Sequence, residues 1–441
     1  MIYKPSRFNY FIRSQYDNAL LLYNSLKGQT SLVCVQKQEI IKDIVAMLKC
    51  NEISDKSQPY FSFLRDLGFF VPNKEDELQK LRLIILREIA KPCLKLTILP
   101  TEKCNFRCKY CYETHKKGSM SQETQNAIVK FVRKNIHQYS SIQVNWFGGE
   151  PLEALDIVKF LSMKILKIAD AAQRRYSSFM TTNGYDLAPD VLNDLLSYRI
   201  YTYQITIDGL KNIHDRLRPH KDGSGTYDRI LENLINIKNK VSNRHFAILL
   251  RTNFSKDSIE QLDEFIAEHS KYFSGDSRFM FLPRVMGKWN ELFDKNIDHQ
   301  LLSQNDIEEF HKKIGNSNHS LNFAYHNYLT NDSICEASFL HSYVIGSDGK
   351  VYKCTADFDL EENNLGYINT KGELVVDEEK HAKWVCHSIE KYCENCFFLG
   401  TCQSRSCPKS RIKKQSSCSF EKNNIDDVLD AIDRNNFTVI E

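Results

Sequence analysis

Three cysteines, Cys104, Cys108 and Cys111 in the run CNFRCKYCYE, constrain this chain more than any other feature. Their spacing, C-x3-C-x2-C, puts three thiols on one short loop, with the aromatic Tyr110 just before the last. Two thiols suit a redox pair, and four close a structural metal site. Three thiolates hold three irons of a cubane and leave the fourth without a protein ligand. An open metal position is what a catalytic site needs. The bland alternative is a zinc knuckle that borrows a ligand such as His115. The loop follows directly on the strand-like run LKLTILPT, so it is expected at the carboxyl end of that strand, where α/β sheets collect functional groups.

From Lys95 onward, strand-like and helix-like runs alternate. Strands are predicted at LKLTILPT, SIQVNWFG, SFMTTNGY, TYQITIDG, HFAILLRTN and RFMFLPRV. Between them apolar residues recur at helical spacing. After Glu153, for example, Leu155, Val158, Leu161 and Ile165 share one face while Lys159, Lys164 and Lys167 lie elsewhere. Six such units over residues 93–290 predict an α/β fold, a partial (β/α)6 TIM-like barrel with parallel strands inside and helices outside.

Residues 1–92 read as a small separate unit. Strand-like FNYFIR, ALLLYNS and SLVCVQ, with YNSLKG as a turn, precede helical EIIKDIVAMLKC, YFSFLRDLGFF and DELQKLRLIILREI. That order fits a winged-helix-like module. Its 14 Lys and Arg against 10 Asp and Glu are a weak basic balance for reading phosphates, so nucleic acid is not the expected partner. Residues 291–334 form a bridge without clear rhythm. Residues 335–441 form a cysteine-rich module with little apolar core, closed by a short helix at NNIDDVLDAIDRNNF.

No apolar run approaches the roughly 18 residues of a membrane span. MIYKPSRFNYFIR lacks the apolar centre of a signal peptide. A cytoplasmic protein with reduced thiols and no membrane partner is the expectation. There, the clustered members of the 14 cysteines read as metal ligands before disulfides. Cys34, Cys50 and Cys93, set in apolar runs, read as core thiols.

Polar groups recur at the predicted strand ends. WFGGEP ends the second strand with Gly148, Gly149, Glu150 and Pro151; its glycines let backbone approach a ligand, and Glu150 supplies a carboxylate. Asn183 in TTNGY ends the third strand, Thr206 and Asp208 in TIDG the fourth, and Arg251 and Asn253 in LLRTN the fifth. Asp208 serves equally well as a helix cap, and Arg251 as half of a surface ion pair. In HDRLRPHKDGSGTYDRILENL, after TIDG, His214 and Asp215 read as structural.

Together with CNFRCKYCYE, these motifs resemble the radical S-adenosylmethionine superfamily over about residues 94–290. The resemblance implies a [4Fe–4S] cluster on Cys104, Cys108 and Cys111, whose open iron chelates the amino and carboxylate groups of S-adenosylmethionine. It implies reductive cleavage of the sulfonium and a 5′-deoxyadenosyl radical that takes a hydrogen from the substrate. It implies that the GGEP loop, Gly148 to Pro151, accepts hydrogen bonds from the methionine ammonium. Asn183, Thr206 and Asp208 are then expected around ribose and carboxylate, Arg251 on a carboxylate, and Tyr110 stacked on the ligand or packed beside it.

The later cysteines run Cys335-x13-Gly349-x4-Cys354, then Cys393-x2-Cys396-x5-Cys402-x4-Cys407, then Cys418. This resembles the SPASM domain, whose seven cysteines hold two auxiliary [4Fe–4S] clusters. The departure is the four residues between Cys402 and Cys407, where the family usually has three. The resemblance implies one cluster on Cys393, Cys396, Cys402 and Cys418. It implies another on Cys335, Cys354 and Cys407, with its last iron open or taken by Cys386 or a substrate thiolate. A zinc ribbon is the alternative reading of the C-x2-C pair. Asp357, close behind Cys354, is a candidate base.

SPASM-bearing radical enzymes mostly modify peptides or proteins. The N-terminal unit resembles the leader-recognition element of enzymes that mature ribosomally made peptides, which adds the leader as a strand on a sheet edge. The overall look is similar to sactipeptide and ranthipeptide maturases. It implies a precursor peptide as substrate, an external one-electron reductant of flavodoxin or ferredoxin type, and an intrapeptide crosslink, a cysteine thioether first. The other readings are a carbon–carbon crosslink (Lys–Trp type or cyclophane), an oxidase of the sulfatase-maturase kind, and a non-catalytic electron-transfer or binding protein.

Overall fold

The computed structural model describes residues 1–54, 59–288, 293–303, 306–307, 310, 329, 334–386, 389–403, 407–415, 418, 420–432 and 434–440. The first strands are β1 (Ile2–Pro5), β2 (Asn9–Arg13), β3 (Leu20–Asn24), β4 (Val33–Val35), β5 (Ile53–Ser54) and β6 (Phe70–Pro72). The barrel strands expected from the sequence follow: β7 (Cys93–Ile98), β8 (Ser141–Trp146), β9 (Arg175–Thr182), β10 (Ile200–Thr206), β11 (Ala247–Phe254) and β12 (Phe279–Val285). They lie side by side in chain order, and every neighbouring pair is parallel.

A parallel pair needs a long crossover. Helices Gln122–Asn135, Leu155–Ala171, Pro189–Ser197, Tyr227–Lys240 and Leu262–Phe273 lie in those crossovers. The strands accordingly bury apolar side chains throughout, such as Leu94, Leu96 and Ile98 of β7 and Ile142, Val144 and Trp146 of β8. Each fully buried aliphatic or aromatic side chain of this kind stabilises by about 1.5–3 kcal/mol. On helix Leu155–Ala171, Val158, Leu161 and Ile165 are the buried face, as their spacing predicts.

The sheet continues beyond β7. Strand β13 (Ser342–Ile345) pairs with β7 in parallel, with Tyr343 opposite Leu96. Strands β14 (Lys350–Tyr352), β15 (Asn364–Ile368) and β16 (Leu374–Val376) follow antiparallel, completing a ten-stranded sheet. The cysteine-rich module is therefore an extension of the central sheet. It also has its own small core, Ala337, Val351, Leu365 and Trp384, where the sequence predicted little.

The N-terminal part is less separate than its sequence suggests. Strand β17 (Thr438–Ile440), from the far end of the chain, pairs parallel with β4, giving the order β17-β4-β3-β2; β1 pairs with β5 and β6 in a second small sheet. The run LLLYN of β3 is buried at every position, so both faces of this sheet need cover. Leu20, Leu22, Val33 and Val35 pack on Ile41, Ile44 and Leu64 of the N-terminal helices. Leu21, Tyr23 and Cys34 pack on Phe398, Val428 and Leu429, the last two from helix Ile425–Ala431.

Of the three thiols expected in the core, only Cys34 is buried. Cys93 is half-buried at the start of β7. Cys50 is exposed because it follows the last turn of helix Gln38–Lys49, where its thiol donates to Ala46 O at 3.2 Å. Most of the bridge at 291–334 falls outside the described residues. Among the described residues, no helix is long and apolar enough to cross a membrane.

Candidate active site

At the carboxyl ends of the parallel strands lies a cavity of about 340 Å³, and Cys104, Cys108 and Cys111 all line it. Their loop is pinned across the barrel mouth: Arg107 N donates to Pro219 O (2.8 Å) and Lys109 N to Leu217 O (2.9 Å). Within it, Phe106 N donates to Cys104 Sγ and Glu113 N to Cys111 Sγ, both at 3.4 Å. Asn105 bonds to Asn183 (2.7 Å) and Asp186 (3.1 Å), and Arg107 to the carbonyl of Cys104 (2.8 Å), so these residues shape the loop.

Burial pushes all three thiols up, Cys111 to about 12. They ionise only together with a cation that replaces lost hydration. His115 does approach Cys111, with Nε2 3.5 Å from Sγ. Yet among the described residues no three His, Cys, Asp or Glu side chains converge to hold a single metal ion.

The WFGGEP loop sits against the cysteine loop backbone to backbone. Gly149 N donates to Thr101 O (3.2 Å) and Glu150 N to Lys103 O (2.8 Å). Gly148 has φ +110°, and a Cβ on Gly149 would sit 2.6 Å from Glu102 O, so glycine is required at both places. Gly148 and Gly149 line the cavity; Glu150 and Pro151 do not. Against expectation, Glu150 does not turn its carboxylate to the cavity. Its carboxyl is buried and taken up by Leu152 N (3.0 Å), Thr182 Oγ1 (2.7 Å) and Asn183 N (2.7 Å). Burial outweighs those donors and raises it to about 7.

Asn183, Thr206 and Arg251 line the cavity. Arg251 is no surface ion-pair member: its Nε donates to Asn253 Oδ1 at 2.9 Å inside the site. Asp208 meets neither sequence reading. It is fully buried behind the cavity wall, and the next helix, Lys211–Leu217, has no side-chain cap. Instead Asp208 accepts from Asn253 N (2.8 Å) and from the hydroxyl of Tyr110. Tyr110 lines the cavity with that hydroxyl fixed. His214 and Asp215 are structural, bonding Thr226 Oγ1 (3.2 Å) and Thr226 N (2.7 Å).

Two cavity residues escaped the sequence reading. Arg218 is buried; its Nη1 donates to Tyr110 Oη at 2.7 Å, and its charge favours the ionised forms of Cys108 and Asp208. Its position in RLRPH, before a proline that ends the helix, was the available signal. Glu113, directly after CKYCY, is buried, and desolvation and then Glu102 raise its carboxyl to about 8. Arg218 Nε and Glu113 Oε1 are buried with no hydrogen-bond partner among the described residues, and both residues line the cavity.

Asp357 is neither a free base nor solvated. It is buried and paired with Lys413 Nζ at 2.8 Å and Lys409 Nζ at 3.7 Å. All fourteen cysteines are free thiols. Burial first, and then the neighbouring Cys407, raises Cys335; burial, and then Cys335 and Cys407, takes Cys354 to about 12, so these three cysteines lie within electrostatic reach of one another. Cys393 is raised in the same way by Cys402, Cys396 and Cys418. Cys386 is exposed just beyond helix Glu378–Val385.

The model of the radical SAM superfamily matches residues 98–266, the span that carries all these strand-end loops from Cys104 to Asn253. The chain carries a radical SAM domain. A cysteine-type anaerobic sulfatase-maturating enzyme of Clostridium novyi is 25% identical over 353 residues, covering 70% of this chain and 87% of that protein. The radical SAM cyclopropyl synthase TigE of Paramaledivibacter caminithermalis is 22% identical over 434 residues, covering 88% and 86%. The crystal structure of Streptococcus suis SuiB bound to precursor peptide SuiA shares the fold, with TM-score 0.54 and 14% identity over 94% of this chain and 97% of that one.

The radical SAM domain implies S-adenosylmethionine and one [4Fe–4S] cluster, and the residues present fit them. Three half-buried thiols, raised by burial, line one wall of the cavity. The orphaned donor of Arg218 and acceptor of Glu113 suit a ligand bearing both a carboxylate and an ammonium.

Proposed function

We propose that this radical SAM protein matures a ribosomally made precursor peptide by closing an intrapeptide crosslink, a cysteine thioether in the first instance. The position of the group Cys335, Cys354 and Cys407 carries this reading. It offers three thiols, not four. Ala356, two residues after Cys354, lines the radical SAM cavity, and Cys354 is close enough to act on Tyr112 in the cavity wall. A cluster there with one iron lacking a protein ligand would hold a substrate thiolate beside the reacting carbon. The second group, Cys393, Cys396, Cys402 and Cys418, supplies four thiols for a closed cluster.

In this reading Cys104, Cys108 and Cys111 hold the radical SAM cluster, and the Gly148–Gly149 backbone, Asn183, Thr206 and Arg251 hold S-adenosylmethionine. When bound, this pair supplies a primary carbon radical that takes a hydrogen atom from the peptide. The Tyr110–Asp208–Arg218 network keeps the wall rigid and dry. The net change would join a C–H and an S–H into a C–S bond: one hydrogen would leave as an atom on 5′-deoxyadenosine, the thiol hydrogen as a proton, and the one remaining electron through the auxiliary clusters, while an external flavodoxin- or ferredoxin-type reductant would supply the one electron that splits the sulfonium. The N-terminal module takes the leader; the SuiB structure overlays 94% of the chain, against 77% for the anSMEcpe structure, which supports that role.

The test is anaerobic co-expression with the peptides encoded beside the gene, followed by alkylation and mass spectrometry. A loss of two hydrogens per link with one thiol protected supports the thioether. The same loss with every thiol alkylatable points to a carbon–carbon link, and conversion of a lone cysteine or serine to an aldehyde points to the sulfatase-maturase chemistry.

A further inference from the structure

The cysteine loop has two sides. Its inner side lines the barrel cavity of about 340 Å³. Its outer side lines a second pocket of about 330 Å³, formed by residues of the loop itself and Asp294, and Cys108 and Cys111 belong to both linings. Two of the three thiols are therefore approached from the protein surface as well as from the barrel.

Charge on the outer side is one-sided. Arg107, Lys109 and Lys116 line the pocket and are exposed. Lys103 is exposed too, and its Cε would lie 4.0 Å from a Cβ on Gly118, just past Lys116. The two carboxylates of the lining do not balance these cations: Glu113 is buried, and Asp294 is held by Lys109 at 3.6 Å. Lys117 is taken up by Glu102 (3.3 Å) and Asp348 (3.1 Å). Among the described residues Lys103, Arg107 and Lys116 have no carboxylate partner; Arg107 rests on the carbonyls of Cys104 (2.8 Å) and Phe106 (2.7 Å). The whole chain carries a net charge of only +3, so this is a local concentration of positive charge.

Size decides which side a protein can use. A cavity of about 340 Å³ admits a cofactor or a side chain of a substrate, not a folded partner. A protein that hands an electron to a group on these cysteines meets Cys108 and Cys111 from outside.

We propose that the outer face of the cysteine loop is the docking surface of the external reductant, and that this partner is a small acidic one-electron carrier protein. The inference deepens the reading above and rests on its cluster at Cys104, Cys108 and Cys111; it is independent of which bond the enzyme makes. The carrier loses one electron and the cluster gains it, with no proton moved and no covalent bond formed or broken. Lys103, Arg107, Lys109 and Lys116 steer the carrier's carboxylates onto the loop. Electron-transfer contacts are small and weak, which lets the spent carrier leave. The competing entry point is the Cys393 group. There Lys391 and Tyr392 are exposed, but Glu390 and Glu394 stand beside them, so that surface is mixed in charge.

The test uses the anaerobically reconstituted full chain and two probes, a fluorescein-labelled flavodoxin and a fluorescein-labelled [4Fe–4S] ferredoxin, read by anisotropy. At least one carrier is expected to bind, with an affinity that falls as salt rises. Lys103→Glu combined with Lys116→Glu should weaken binding at least about tenfold, chiefly through the association rate. It should slow bleaching of the cluster absorbance by the reduced carrier by a similar factor. The milder pair Lys103→Gln and Lys116→Gln should act in the same direction, the Arg pair should retain both readouts, and Lys391→Glu should change neither. Iron content and reduction by dithionite, which needs no docking surface, show that each variant is intact. Loop variants that bind and are reduced like the parent overturn the proposal, as does a loss confined to Lys391→Glu. If neither carrier binds a parent chain that cleaves S-adenosylmethionine with dithionite, the proposal fails and the maturase reading stands. If dithionite drives no cleavage, both fail.

Discussion

Gly149→Ala is the sharpest perturbation of the site. The substitution leaves the barrel core untouched and places one methyl group between two loops. That methyl would lie 2.6 Å from Glu102 O and closer still to Lys103 O. Ordinary carbon–heavy-atom contact is about 3.5 Å, so relieving the longer clash alone parts the loops by nearly 1 Å. The bonds from Gly149 N to Thr101 O and from Glu150 N to Lys103 O stretch with it. A misplacement of about 1 Å in a reacting constellation costs about 100-fold in rate, or about 2.7 kcal/mol of barrier. The assay is reductive cleavage of S-adenosylmethionine by the reconstituted chain, with iron content and melting temperature as controls. The variant should keep its iron and its fold and lose about two orders of magnitude in 5′-deoxyadenosine formation. A variant that cleaves at the parental rate would refute the claim that these two loops jointly set the cofactor's position.

Arg218→Leu strips a buried cation from beside Asp208 and Cys108 and should destabilise the apo chain by about 3 kcal/mol in denaturant; Asp208→Asn in that background should restore part of the loss, and a simply additive double variant counts against the network. Glu150 titrates at about 7 when folded against an ordinary 4.5, so the folded chain holds a proton that the unfolded chain has released. Its contribution is fully present below pH 4.5 and fades as the pH rises to 7. Glu150→Gln should flatten that slope in denaturation midpoints, and an unchanged slope contradicts the assignment. Cys335→Ser should lower iron from about twelve to about eight per chain while cofactor cleavage persists; loss of cleavage would show that this group is not auxiliary.

The barrel was legible because its strands are continuous β-branched and aromatic runs and its helices keep an apolar stripe. LKLTILPT and SIQVNWFG became β7 and β8, with each strand ending before the run it was read from. The pairing of SYVI at Ser342–Ile345 with β7 was not legible, since nothing local says which edge so short a strand joins. Nor was the C-terminal strand, although LLLYN, apolar at successive positions, already called for cover on both faces. In the site, the thiols and glycines were readable from spacing. Glu150, Asp208 and Asp357 were misread for one physical reason: a buried carboxylate must be paired, and its partners (Asn183, Tyr110, Lys413) come from distant parts of the chain. Arg218 was overlooked for the same reason, because its partner Tyr110 lies 108 positions away.

In this reading the cavity beside Cys104, Cys108 and Cys111 binds and splits S-adenosylmethionine. The most direct measurement is product analysis after anaerobic iron–sulfur reconstitution, with a chemical reductant and the cofactor supplied. 5′-Deoxyadenosine and methionine are expected in equal amounts, abolished in Cys104→Ala. Stoichiometric zinc in the purified chain, or a fully iron-loaded chain that leaves the cofactor intact, would contradict it.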